Sequence, residues 1–440
     1  MEKRTISFSP PDMGELEEKQ VIDTLRSGWI TTGPKVKKLE KLLASFLEVD
    51  EKAPAVACLG SATASEELIL RMLGIGPGDE VIVPAYTYTS SAAAAIHVGA
   101  KVIFVDSQPN SVEMDYDKVA ESITDKTKAI IPVDLGGVPC DYDALFSIVT
   151  SPEAKGKFRP LSASEDDDEL TKLGANIQQK LGRIAIVADG AHALGASRIL
   201  SHWSGEPEGG ECKERKVGSI ADFTSFSFHA VKNFTTAEGG AASWNLPFNT
   251  AEDNAAMYHW FQLLSLHGQS KDALAKTQVG AWEYDVVAPL YKCNMTDIMG
   301  GIGLAQFNRY PQLLARRKAI VAKYDEACDA LGVDHIVHFT NSYTSSGHLY
   351  ITRITGCNDE QRREIIQKMA ERGVATNVHY KPLPMMTAYK RLGWQIEDFP
   401  NAYKLYSNEI TLPLHTKLSD EDVAYVINSF KESVKEVRGH

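Results

Sequence analysis

"DEVIVPAYTYTSSAAAAIHVGAKVIFVD", Asp79 to Asp106, decides the fold class. Its ends, "DEVIVPAY" and "KVIFVD", are Val/Ile-rich, and the small-residue stretch "SSAAAAIHVGA" lies between them. A short run that is apolar at successive positions suits a strand buried on both faces, and Ala-rich sequence suits a helix. Strand, helix, strand is the crossover unit of a parallel sheet.

Outward from this unit the rhythm repeats. "AVACLG" (55–60) reads as a strand, and "ATASEELILRML" after it as a helix with Leu68, Leu70, Met72 and Leu73 on its apolar face. "KAIIPVDLGG" and "GRIAIVADGAHALGA" add two more strands. The chain is therefore expected to be α/β, with a large, mostly parallel sheet and helices on its faces. Two polar insertions interrupt it. Near 150–183, an acidic loop (Glu165 to Glu169) leads into an amphipathic helix, Leu170 to Leu181; "SHWSGEPEGGECKERK" (201–216) reads as a surface hairpin. After Met295 a long helical pattern runs on past Pro311. "HLYITRI" reads as a strand, and two helices follow, one ended by Gly373 and one capped by Ser419. This predicts a large unit, 1–300, and a smaller C-terminal α+β unit, 301–440.

A chain of 440 residues buries a large core, and 43% apolar with 24% charged residues is ordinary for a soluble globular protein. The net charge of −12 argues against nucleic acid as a partner. The six cysteines are scattered and form no CxxC pair, which suits reduced thiols in a cytoplasmic protein and gives no reason to expect a metal site. No run approaches the 18 apolar residues of a membrane span, and the N-terminus lacks the apolar core of an export signal.

The chemistry centres on "TSFSFHAVKNFTTAEGGAASW" (224–244), which sets Lys232 between two strand-like runs. Burial disfavours an ammonium, and a neutral lysine is a nucleophile suited to Schiff-base chemistry. Three other features converge with it. "GSATASEEL" opens a helix after a strand, so Ser61, Thr63 and Ala64 offer a phosphate the positive end of that helix. Asp189 ends the strand "IAIVAD", where ligands of open parallel sheets bind, and a carboxylate there holds a ring nitrogen protonated. Tyr88 follows another strand end and offers a ring to stack on a flat cofactor; a turn after Tyr86 would separate the two tyrosines. Ser227 is a second hydroxyl for the phosphate, and His192 either bonds a cofactor hydroxyl or packs. Lysine, strand-end aspartate, helix-start hydroxyls and an aromatic together are what pyridoxal phosphate requires.

Read as a set, "SGWITTGPKVKKLE", "LGIGPGDEVIVPAYTYTSSA", "ADGAHALGA", "FSFHAVKNFTTAEGG", "LHGQSKDA", "YKCNMTDI" and "VHYKPLP" resemble the sugar aminotransferases of the DegT/DnrJ/EryC1/StrS family, in order from about Phe8 to the C-terminus. The resemblance implies an aspartate-aminotransferase-like fold and a homodimer with composite active sites. It also implies pyridoxal 5'-phosphate as cofactor, and transfer of an amino group, usually from glutamate, to a nucleotide-linked keto sugar. Carried over by motif, Lys232 is the Schiff-base lysine and Asp189 the pyridinium partner. His192 lies near the phenolic oxygen; Thr63, Ala64 and Ser227 hold the phosphate; Tyr88 stacks on the ring. Asn294 reaches the phosphate from the partner subunit, its alternative role being a helix cap. Thr32, Tyr291, His379 and Lys381 are substrate candidates. Four departures stand out: Ala62 where the family has Gly, "ADGA" for "EDAA", Asp134 in "PVDLGGVP" for a histidine, and Leu290 where Gly is frequent. The changes at 134 and 290 are expected to bear on substrate identity. A dehydratase on the same fold would carry histidine at the position of Lys232, and a non-catalytic relative would lack need of the intact set.

Overall fold

The computed structural model describes residues 4–49, 55–201, 212–248, 250–270 and 283–439. Two helices open the chain, α1 (Glu15–Ser27) and α2 (Pro34–Phe46). Pro34 sits at the first turn of α2, where its missing N–H costs nothing. The alternating region follows as β1 (Val56–Leu59), α3 (Ala62–Met72), β2 (Glu80–Pro84), α4 (Thr89–His97), β3 (Lys101–Val105), α5 (Tyr116–Ser122) and β4 (Thr127–Ile130). Next come α6 (Tyr142–Thr150), α7 (Pro152–Lys157), α8 (Glu169–Leu181), β5 (Ala185–Asp189), β6 (Ser197–Leu200), β7 (Lys213–Lys216), β8 (Phe223–Ser227), β9 (Gly240–Trp244) and α9 (Ala251–Ser265). The remainder is α10 (Asp297–Leu331), β10 (Asp334–His335), β11 (Tyr343–Thr344), β12 (Tyr350–Arg353), α11 (Asp359–Glu371), α12 (Thr387–Arg391), α13 (Pro400–Ser407), β13 (Glu409–Leu412) and α14 (Asp420–Arg438).

Seven strands form the main sheet in the order β1-β9-β8-β5-β4-β2-β3. The four pairings from β3 across to β8 are parallel, while β9 runs antiparallel to both β8 and β1. That reversal went unread in the sequence, because a buried strand looks apolar whichever way it runs. It has a functional consequence. The β8–β9 connection, residues 228–239, turns back over the carboxyl end of β8 and carries Lys232. Beneath it, the fully buried Phe228 and Phe234 meet edge-to-face at 4.9 Å and anchor the loop.

Among the described residues, two hydrophobic clusters form the interior. One lies about the seven-stranded sheet; the other gathers Ile320, Tyr324, Tyr350, Ile365, Ile410 and Phe430 around the antiparallel sheet β10-β12-β13. Ile6 joins the second cluster by bridging Val374, so the N-terminal segment packs on the C-terminal sheet. The helix α10 runs unbroken through Pro311 between the two regions.

The first insertion is more structured than expected. The short helix α7, capped by Ser151, precedes the loop, and α8 begins at its cap Asp168. A six-residue helix containing Gly156 shows too little periodicity to be read. The helix α8 docks on α3: a Cβ on Gly174 would come within 2.7 Å of Gly74, and Gln178 bonds Leu73 O at 2.6 Å. Residues 162–168, by contrast, are all exposed. Shortening Ser162–Asp167 while keeping the Asp168 cap is therefore expected to change stability by no more than about 0.5 kcal/mol, read by thermal melting. A large loss of stability would show that the loop packs; loss of activity in a folded variant would place it at the cleft. The second insertion is flanked by the antiparallel pair β6–β7, and 202–211 of the expected hairpin lies outside the described residues.

Candidate active site

The main-chain geometry brings the strand ends together. Asp189 ends β5, and its register partner on β8 is Ser225. Two residues on, Ser227 ends β8 opposite Gly240 of β9. A Cβ on Gly240 would fall 2.4 Å from Ser61 C and 2.5 Å from Ala62 N, so only glycine lets β9 lie against the start of α3. That close approach sets Ser227 beside the helix N-terminus that carries Thr63 and Ala64. Ser61 caps α3 by accepting the Ala64 N–H at 3.0 Å. The Ala64 N–H is thus already paired, and an anion here would draw on the neighbouring first-turn N–H groups and the Thr63 and Ser227 hydroxyls.

The Asp189 carboxylate is buried and held in place. Its Oδ2 accepts from Ser91 Oγ at 2.8 Å, and its Oδ1 from the Ala191 N–H at 3.0 Å. The Ser91 hydroxyl has one proton and gives it to Asp189, so Thr87 must donate in the 3.1 Å Thr87–Ser91 contact. The backbone departure in "ADGA" has a steric cause: a Cβ on Gly190 would meet Thr224 Cγ2 at 2.8 Å. The buried bidentate pair Arg183–Asp222, at 2.7 and 2.8 Å, ties the approach to β5 to the start of β8.

Lys232 closes a turn on His229 O at 2.9 Å, and its side chain is part-exposed at the cleft. The surrounding protein still desolvates its amine: burial pulls its pKa down to about 8, against an opposing pull from Asp189. Its neighbour Asn233 locks the loop. Asn233 Nδ2 donates to Ser346 O at 2.9 Å, so its Oδ1 is the atom facing His348, and His348 Nδ1–H donates to it at 2.8 Å. The loop is thereby fixed to the segment just before β12.

His192 is buried beside this group, its ring 4.3 Å from that of His348. Its Nδ1 accepts the Gly136 N–H at 3.2 Å, so the proton of the neutral ring sits on Nε2, which faces the Tyr380 hydroxyl at 3.3 Å. Burial, then the Lys232 charge, hold its pKa well below the usual range. His379 is likewise lowered to about 3 by burial and by Lys232, and it stacks on Phe8 at 5.5 Å.

The expected turn after Tyr86 is present. Tyr86 is fully buried and donates to His379 O, while Tyr88 is 58% exposed, with its ring 5.8 Å from that of Tyr380. Lys381 is exposed near by. Asn294 bridges Leu59 at the end of β1, just before the start of α3. Thr32 and Asn294 bond each other, and Asn294 Oδ1 also accepts from Lys292. The helix cap of α10 is Thr296, which accepts the Met299 N–H, so Asn294 is no cap. Tyr291 accepts from Arg71 at 2.9 Å near the far end of α3, about 12 Å along that helix from Thr63, outside this chain's own cluster.

One expectation is corrected. Asp134 does not face a substrate: it is fully buried and receives bonds from the Cys140 N–H and the Tyr142 hydroxyl. Burial pushes its pKa up to about 7. Its exchange for histidine alters the packing behind Asp189, whose carbonyl accepts the Asp134 N–H at 3.1 Å. Sequence reasoning missed Ser91, Asn233, His348 and Tyr380; "VHYKPLP" contained the last of these without marking it.

An amine of lowered pKa, a buried strand-end carboxylate, a ring-nitrogen donor and a small-residue helix start fit pyridoxal phosphate. Comparison with known proteins agrees. The DegT/DnrJ/EryC1/StrS aminotransferase family matches residues 11–154 and 171–431, the gap falling in the first insertion. The chain belongs to that family. Spr1654 of Streptococcus pneumoniae, provisionally named a sugar aminotransferase, is 52% identical in its PMP form, with a TM-score of 0.88 over 98% of this chain and all of that one. It has also been solved in a PLP form. The spore coat polysaccharide biosynthesis protein SpsC of Bacillus subtilis is 32% identical over 98% of this chain and 97% of its own. The uncharacterised protein MJ1066 of Methanocaldococcus jannaschii is 33% identical over 98% and 99%. The chain is a pyridoxal-phosphate-dependent aminotransferase of the aspartate-aminotransferase-like fold. Among the described residues no helix is long and apolar enough to cross a membrane.

Proposed function

We propose that this aminotransferase moves an amino group from glutamate to the ketone of a nucleotide-linked sugar, in the cytoplasm, for surface polysaccharide or another glycan. The observation that carries the chemistry is a desolvated amine, Lys232, on the loop that turns back over the end of β8, beside which Asp189 ends β5. The sugar is supported by the likeness to Spr1654 and SpsC.

Bound, pyridoxal phosphate supplies an electrophilic carbon and a ring that takes up an electron pair. Lys232 would anchor it through Nζ and carry a proton at that nitrogen. Asp189 holds the proton of the ring nitrogen. His192 would lie near the phenolic oxygen, and Tyr88 would stack on the ring. The Thr63 and Ser227 hydroxyls and the first-turn N–H groups of α3 would form the phosphate cradle, with Ala64, whose own N–H is held by Ser61, lining it. His379 and Lys381, on the segment opposite Tyr88, are the substrate contacts from this chain. The same proposal divides the chain into units of 1–300 and 301–440. Incubating the enzyme with glutamate and a panel of nucleotide keto sugars tests the substrate. A product differing by exchange of the ketone oxygen for an amine, seen by mass, is expected; turnover confined to free keto acids would oppose it.

The dimer belongs to the proposal. Asn294, which bridges Leu59 just before the start of α3, reaches the phosphate of the partner subunit's site, as the family resemblance implies, and Thr32 and Tyr291 are substrate candidates. Lys232→Ala and an inactivating Asn294 substitution then damage different halves of one composite site. Mixing the two inactive proteins is expected to restore activity, because one site in each mixed dimer escapes both lesions. No recovery, with subunit exchange verified by native mass spectrometry, would return Asn294 to its own chain.

A further inference from the structure

Behind Asp189 lies a second carboxyl group to which the chemistry above gives no part. Glu66, in the second turn of α3, is fully buried. Its Oε1 accepts from Ser225 Oγ at 2.9 Å, and its Oε2 has no donor within hydrogen-bonding distance. Ser225 is the register partner of Asp189 across the parallel pair β5–β8, so the two side chains stand on the same face of the sheet. Glu66 therefore meets the Asp189 carboxylate from the helix side, within hydrogen-bonding reach.

Two buried carboxylates in contact do not both stay ionised; one keeps a proton and turns it to the other. The hydrogen-bond inventory says which. Asp189 already receives bonds from Ser91 Oγ and the Ala191 N–H, and its ionised form is stabilised by both. Glu66 receives one, from Ser225, and its spare oxygen lacks a donor. We propose that Glu66 is a neutral, proton-bearing carboxyl that donates its O–H to Asp189, keeping that carboxylate ionised and aimed at the ring nitrogen of the cofactor. It is a positioning residue, acting through Asp189, and this rests on the reading of Asp189 as the ring-nitrogen partner.

The electrostatics agree. Burial, then the Asp189 charge, push the Glu66 pKa well above the carboxylate range. The other charged groups that act on Asp189 are Lys232 from the β8–β9 loop and Asp134 from behind β4, itself raised to about 7. Neither reaches the spare Glu66 oxygen as a donor.

Two readouts test this. In an infrared difference spectrum of wild-type holoenzyme against Glu66→Gln at neutral pH, one protonated-carboxyl band is expected to vanish; the subtraction removes other buried acids. No band assignable to Glu66 would overturn the proposal. The second readout is the pH at which the visible band of the bound cofactor titrates. Glu66→Gln keeps both the acceptor for Ser225 and an N–H for Asp189, so it should titrate like wild type. Glu66→Leu fills the same space without a donor. It is expected to shift the titration by at least about half a pH unit and weaken cofactor binding roughly tenfold. A Leu variant indistinguishable from wild type in both, alongside an Asp189→Asn variant that does shift, would refute the role of Glu66. If Asp189→Asn leaves the titration unmoved while the infrared band is present, it is the Asp189 reading that fails.

Discussion

Replacing Lys232 by alanine is expected to lower transamination by more than about 10³-fold, because one amine serves both as anchor and as proton carrier. Phe228, Phe234 and the Asn233 bonds to Ser346 and His348 hold the loop without help from the Lys232 side chain, so the variant should fold. Burial, which brings this lysine to about 8 from an ordinary 10.5, sets two pH dependences. Capture of the cofactor aldehyde by the apoprotein should speed up as pH rises through about 8 and level off above it, since the neutral amine is the nucleophile. Stability follows the same group. Below the folded value both states bind the proton and the burial penalty is fully present. Between about 8 and 10.5 only the unfolded chain keeps it, so stability rises with pH. Urea denaturation of the apoprotein should show this rise in wild type and not in Lys232→Ala. A variant that turns over at the wild-type rate would remove Lys232 from the chemistry.

Asp189→Asn is the second large effect. The amide retains the shape and can still accept from Ser91 or the Ala191 N–H, so cofactor is bound, with an affinity loss matching about 1.5–3 kcal/mol for a charged hydrogen bond. The chemistry suffers more, because an amide carries no charge to hold the ring nitrogen protonated. Turnover should fall by roughly 10²-fold or more, with single-turnover kinetics separating that step from binding. Wild-type turnover in the Asn variant would reduce Asp189 to a turn residue that orders the loop at Ala191.

The fold and the centre of the site were readable for one reason: both are written in local patterns. The unit from Asp79 to Asp106 announces a crossover by its own periodicity, Asp189 stands at the end of an apolar run, and Lys232 stands between two strand-like runs. Tyr88 was separable from Tyr86 because a turn after a strand changes which face a side chain takes, and the structure buries one and exposes the other. What supports these residues was hidden. Ser91 reaches Asp189 across 98 residues of sequence, His348 reaches Asn233 across 115, and Ser225 reaches Glu66 across 159. No periodicity records such pairings, and a buried glutamate in an otherwise apolar helical face reads as one more helix former. Asp134 misled for the opposite reason. It directly follows the apolar stretch that ends at Val133, as a site residue does, but its side chain turns inward to Tyr142 and Cys140. The antiparallel direction of β9 was equally silent, although it determines that the Lys232 loop folds back over the ends of β5 and β8.

The central claim is that Lys232 is the residue that carries the cofactor. Holoenzyme treated with borohydride and digested should lose its visible band and give a single peptide bearing the reduced pyridoxyl adduct on Lys232. An adduct on Lys292 or Lys381 instead, with Lys232 unmodified, would contradict the account.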